Sequence, residues 1–198
     1  MRGLYEYMRR YADSFGDDEY TSLWDEAELE FESGSLRILH TPGHTPGSCS
    51  FLREADRTII AGDCVLNRIT PNPVLSPDPI DPTRRFPSLA EYMVSLARLR
   101  SFSPTLVYGG HGEPIRDFEE LFNRYFRAFQ DRQGQVIGLV PKTGVTAWEA
   151  ALKMFPHADD VHRFLSVSEA VAHLDLAHSE GKIGLELKDQ IEVYKPLL

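Results

Sequence analysis

The sequence predicts an α/β fold: a mixed sheet that delivers its loops to one edge, long amphipathic helices flanking it, and a small α+β unit at the C-terminal end. Three observations carry this prediction. Apolar runs at 36–39, 58–61 and 105–108 each lead into a glycine-containing loop bearing His or Asp. Two later stretches repeat large apolar residues at helical spacing, with Leu89, Tyr92, Met93, Leu96 and Leu99 in one and Phe118, Leu121, Phe122, Tyr125, Phe126 and Phe129 in the other. The last third then reads as helices followed by two strand-like runs around a polar turn.

Taken in order, residues 1–15 suit a helix, with Leu4, Tyr5, Met8 and Tyr11 or Ala12 on one side. Residues 14–25 are polar and turn-like. Strands follow at 28–31 and 36–39 around Glu32-Ser33-Gly34-Ser35, then at 48–53 and 58–61 around the turn 54–57. The stretch 68–87 holds six of the chain's 13 prolines and no periodicity, so it is either a plain surface loop or a flap over the mouth of a site. In the second case Asn67, Arg68 and Asn72 are the polar groups that help to choose the substrate. Ser88-Leu-Ala-Glu91 has the form of a capping box opening the helix that Pro104 ends. A second helix is expected at 117–133, covering a sheet or partner face. Residues 134–141 read as a boundary, giving domains at 1–134 and 135–198. In the second, helices at 145–155 and 166–179 precede a hairpin at 181–187 and 191–194; Val167, Ser168, Val171, Leu174 and Leu176 seat the longer helix.

The densest chemistry lies at 40–48, His-Thr-Pro-Gly-His-Thr-Pro-Gly-Ser, directly after a strand. Gly43 and Gly47 can take positive φ while Pro42 and Pro46 stiffen the bend, so the turn presents His44. Alone it is equally a strand-ending turn with an exposed histidine. The same grammar recurs at Gly62-Asp63 and at Gly109-Gly110-His111-Gly112, however, and loops beyond strand ends on one rigid edge can aim side chains at one point. Imidazole nitrogen and carboxylate oxygen suit zinc or a similar borderline metal, so His44, Asp63 and His111 are expected on the same sheet edge within one metal site's span. His157-Ala-Asp-Asp-Val-His162 has a faint ligand-like spacing but reads as a solvated loop.

In order, His-Thr-Pro-Gly-His-Thr-Pro-Gly, Ala61-Gly62-Asp63-Cys64 and Tyr108-Gly-Gly-His111-Gly-Glu-Pro114 resemble the second half of the metallo-β-lactamase superfamily, and within it the β-lactamase-like hydrolases with a winged-helix tail. The resemblance implies the C-terminal half of an αβ/βα sandwich plus a small winged-helix-like domain. It also implies a two-metal centre, of zinc, iron or manganese, in which His44 binds the first ion, Asp63 bridges and His111 binds the second. The family's earlier His-x-His-x-Asp-His motif is absent, and His40 is the only histidine before His44. The remaining ligands are therefore expected from a missing N-terminal half or from another chain. The implied reaction is hydrolysis of an ester, thioester, amide or phosphodiester by metal-activated water, on a small-molecule substrate. Two other readings stay open: a non-catalytic, metal-poor interaction or dimerisation module, and a nucleic-acid processing hydrolase.

Composition bounds these readings. The net charge of −9 arises in one place, since nine acids and no base lie between Arg10 and Arg37. Such a run is expected to be a solvated surface. From 135 to 198 six bases face nine acids, which disfavours a nucleic-acid surface and favours a packing or homodimer role for the tail. No apolar run nears the ~18 residues of a membrane helix and no signal peptide is visible, so no membrane partner and a cytoplasmic location are expected. Cys49 and Cys64 admit a disulfide, a soft extra ligand or buried thiols, the last being favoured.

Overall fold

The computed structural model describes residues 23–197; the helix expected at 1–15 lies outside them. A five-stranded sheet runs in the order of the chain: β1 (Glu28–Phe31), β2 (Gly34–His40), β3 (Cys49–Arg53), β4 (Thr58–Gly62) and β5 (Leu106–Gly109). The first four pair antiparallel as a meander. β5 joins β4 in parallel, with Ile59 opposite Val107. That parallel pairing needs a crossover, and helix α1 (Ser88–Ser101) supplies it. β2, β4 and β5 consequently point the same way, and the loops after them open on one edge.

Alternation decides which face is covered. Leu39, Leu52, Ile59, Ala61 and Val107 are buried beneath Leu89, Tyr92, Leu96 and Leu99 of α1 and beneath Phe118, Leu121, Phe122, Tyr125 and Phe129 of α2 (Phe118–Gly138). The opposite face carries Ile38, Phe51, Ile60 and Tyr108 in register across four strands; Ile38 is buried, while Ile60 and Tyr108 are 45% and 44% exposed. Helices on one side and an apolar row on the other make one half of a two-sheet sandwich.

α2 runs five residues past its expected end, straight through Gly134 to Gly138, so the turn falls at 139–146. Val136 is fully buried there, and tertiary packing overrides the helix-breaking tendency of the two glycines. Beyond it, α3 (Ala147–Met154), α4 (Asp160–Ser179), β6 (Ile183–Lys188) and β7 (Ile191–Pro196) enclose a second apolar cluster of Val136, Val145, Ala150, Ala151, Ala170, Leu174, Ala177, Ile183 and Tyr194. α4 begins six residues earlier than expected. Asp159 caps it by accepting from the His162 N–H, and its Oδ1 lies 2.7 Å from His162 Nδ1, so 157–159 form the expected loop while 160–162 already open the helix.

The capping box also sits elsewhere. Pro87 occupies the cap of α1, and the Ser88 hydroxyl donates to the Val74 carbonyl instead. The true box is at α3, where Thr146 and Glu149 bond reciprocally. Part of the acidic run is also used, for Asp25 accepts from the His40 N–H at 2.7 Å and from Arg98 at 2.9 and 3.0 Å, while Glu26 pairs with Arg37 and Arg98. Both cysteines are free thiols, Cys64 buried and Cys49 only half-buried. No helix among the described residues is long and apolar enough to cross a membrane.

Candidate functional site

The three strand-end loops bring His44, Asp63 and His111 together. His44 Nε2 lies 3.8 Å from Asp63 Oδ2, and His111 Nε2 lies 3.5 Å from Asp63 Oδ1, so each carboxylate oxygen faces one imidazole. Two glycines make this approach feasible. Gly43 takes φ +147° with its Cα against Tyr92, where a Cβ would fall 2.4 Å from the Tyr92 Cβ. Gly110 donates to the Gly62 carbonyl at 2.7 Å, and a Cβ there would fall 2.0 Å from Asp63 Oδ1. Gly47, the other glycine of the turn, needs no positive φ.

The two histidines are held differently. His44 Nδ1 lies 2.8 Å from the main-chain carbonyl of Asn72, which can only accept. The carbonyl therefore places a proton on Nδ1, and in the neutral ring this leaves the Nε2 lone pair toward Asp63. The Val74 N–H donates back to the His44 carbonyl at 3.1 Å, so the proline-rich loop grips this residue at two points. The His111 side chain is 79% exposed and Asp63 is its one close polar neighbour among the described residues. His40 points elsewhere, with Nε2 at 2.8 Å from the Pro46 carbonyl.

Of the loop residues expected to meet a substrate, Asn72 reaches the site through its main chain. Its side chain runs the other way, into the C-terminal helices. Asn67 Nδ2 donates to the Glu113 carbonyl at 3.0 Å and steadies the His111 loop. Arg68 is exposed and lines a hollow of about 390 Å³ with Arg124 and Arg132, so it stands apart from the three site groups. The loop is thus neither a free flap nor a bare surface turn. Arg85 fastens its far end by paired bonds of 2.8 Å to Asp175 and by an ion pair to Glu192 at 2.7 Å.

Sequence reasoning missed the acceptor for His44 and the need for Gly110. The Pro-Asn-Pro string at 71–73 was the available signal for the first, because a stiff extended segment exposes its carbonyls. Cys64, next to Asp63, is 1% exposed and packs into the core cluster with Leu89 and Tyr92, and burial pushes its thiol up to about 12.

Imidazole and carboxylate suit zinc or iron, and two donors at ~2.1 Å from one tetrahedral ion stand about 3.4 Å apart, near the spacings seen here. Among the described residues no three such groups converge on a single point, so these donors fit a pair of positions flanking Asp63 rather than one closed site. Among the described residues no further donor joins either position, whereas a catalytic zinc takes about three protein ligands.

Comparison with known proteins identifies the family. The chain is 31% identical over 146 residues to Probable metallo-hydrolase YqjP of Bacillus subtilis, a match covering 74% of this chain and 46% of that protein. The crystal structure of metallo-beta-lactamase family protein TTHA1429 from Thermus thermophilus superposes with a TM-score of 0.76 at 30% identity, over 88% of this chain and 54% of that one. A beta-lactamase domain protein from Burkholderia ambifaria gives 0.78 at 25% identity, over 98% and 60%. The chain thus spans about half the length of the relatives it matches. A sequence model of the metallo-beta-lactamase superfamily matches residues 2–111, the stretch that carries all three site groups, and the chain belongs to that superfamily.

Proposed function

We propose that this chain supplies one side of a metal-dependent hydrolytic centre, with His44 and His111 as ligands of two ions and Asp63 as the bridge between them. The observation that carries this reading is the division of the Asp63 carboxylate, one oxygen to each imidazole, with His44 held in the tautomer that offers Nε2. When bound, zinc or iron supplies Lewis acidity that brings water's pKa toward neutrality and polarises a scissile carbonyl or phosphoryl group. The chain's own residues orient that chemistry. Asn72 and Val74 fix the His44 ring, and Gly110 leaves room for the carboxylate. The further donors that each position requires come from beyond the described residues, and the exposed apolar pair Ile60 and Tyr108, with the half-buried Phe51 beside it, is the surface on which a second sheet would seat.

The substrate class is an ester, thioester or amide of small size. The C-terminal helices and hairpin form a winged-helix-like packing or dimerisation unit, and their net negative charge speaks against nucleic acid. The test is hydrolysis of p-nitrophenyl esters and acyl thioesters by the zinc-loaded protein, with Asp63→Asn beside it. Turnover that Asp63→Asn reduces by two orders of magnitude or more supports the reading, and equal turnover rejects it.

A further inference from the structure

We propose that Glu169, on α4 of the C-terminal unit, is a positioning residue for His44 and acts through Asn72. The inference deepens the reading of His44 as a metal ligand and rests on it. Glu169 is only 4% exposed, an expensive place for a carboxylate, so both of its oxygens must be employed. Oε1 accepts from Arg132 Nη1 at 2.6 Å, and Oε2 accepts from Asn72 Nδ2 at 3.0 Å. His173 Nε2 stands 3.6 Å from Oε1, and the other nitrogen of that ring lies 2.7 Å from Gln133 Oε1. The second Asn72 amide proton goes to the Leu165 carbonyl at 2.8 Å. The Asn72 side chain is therefore clamped to α4 at both N–H bonds.

That clamp bears on the site because the backbone on either side is stiff. Pro71 has a locked φ, and Pro73 confines Asn72 to extended conformations. The segment consequently turns as a unit, and fixing the Asn72 amide fixes the direction of its carbonyl. That carbonyl receives His44 Nδ1–H. A chain of bonds thus runs from Arg132 and Glu169 through Asn72 to the nitrogen opposite the one that faces Asp63. Partners at this remove commonly change metal affinity 10–100-fold.

The test uses the full chain with ¹⁵N-labelled histidine, read without metal by long-range ¹H–¹⁵N correlation at pH 8, alongside zinc titration. Wild type is expected to show His44 as a single Nδ1–H tautomer. Glu169→Ala should give a mixture of tautomers and bind zinc about tenfold more weakly. Asn72→Ala, which cuts the same link while leaving the Arg132–Glu169 ion pair in place, should do the same and carries the test if Glu169→Ala does not fold. Leu174→Ala, a cavity in the same helix within the other cluster, should lower Tm and leave the His44 tautomer untouched. An unaltered tautomer in both linked variants overturns the proposal, as does an equal change in Leu174→Ala. If wild type binds no zinc while the tautomer still answers to Glu169, positioning stands and the metal reading falls.

Discussion

Gly110→Ala separates stability from site geometry more sharply than any other single change. A methyl at this position would lie 2.0 Å from Asp63 Oδ1, 3.0 Å from its Cγ and 3.1 Å from its main-chain nitrogen. Side-chain carbons do not approach closer than 3.0 Å, so the carboxylate oxygen must retreat by about 1 Å. Gly110 cannot retreat instead without losing its 2.7 Å bond to the Gly62 carbonyl. Asp63 is partly exposed and can swing toward solvent, which keeps the folding penalty at the ordinary overpacking cost of about 1–3 kcal/mol. In a chain of this size that lowers Tm by about 2–12 °C. The same swing removes an oxygen from between the two imidazoles, so zinc affinity should fall at least tenfold. Circular-dichroism melts and calorimetric zinc titration read the two effects apart. Gly112→Ala is the control: its φ of +87° strains the backbone, yet the nearest atom to its Cβ is the Asn67 Cβ at 3.8 Å. It should cost stability without the tenfold loss. Gly110→Ala with wild-type zinc affinity would refute the placement of Asp63.

Three further outcomes follow from the packing and the buried polar groups. Tyr125→Phe should cost about 1–3 kcal/mol in urea unfolding, because the hydroxyl accepts from the buried Leu66 N–H at 2.9 Å and the ring alone leaves that donor stranded; an unchanged midpoint would contradict it. A thiol reagent at pH 8 should label Cys49 readily and Cys64 only on unfolding, since burial holds the Cys64 thiol near 12; equal labelling of both in the native state would contradict that. Glu169 answers to acid: burial pushes its carboxyl up, but His173 and Arg132 outweigh burial and hold it below its ordinary 4.5. A depressed carboxylate contributes stability that is whole above pH 4.5 and is lost as pH falls through the lowered value. Tm should therefore drop more steeply below that pH in wild type than in Glu169→Gln, and parallel curves would reject the assignment.

The sheet edge was legible in the sequence because its grammar is local. An apolar run followed by glycine and His or Asp fixes both the strand and the loop, and β2, β4 and β5 fell within one or two residues of their expected limits. The helices were harder. Ser88-Leu-Ala-Glu91 and Thr146-Ala-Trp-Glu149 have the same form, but Ser88 is already inside its helix with Pro87 at the cap, and its hydroxyl turns to the carbonyls of Val74 and Phe86. The helix end expected at 133 moved to Gly138 because burial of Val136 outweighs two glycines. The grip of Glu169 on Asn72 joins residues 97 positions apart, and no local pattern announces a bond of that span.

His44, Asp63 and His111 are placed to face metal. Crystals of the protein grown with zinc, measured at the zinc edge, test it most directly through the anomalous difference density. A peak is expected about 2.0–2.2 Å from an Asp63 oxygen and from the Nε2 of His44 or His111. Zinc bound only elsewhere on the molecule, with this edge empty, would contradict it.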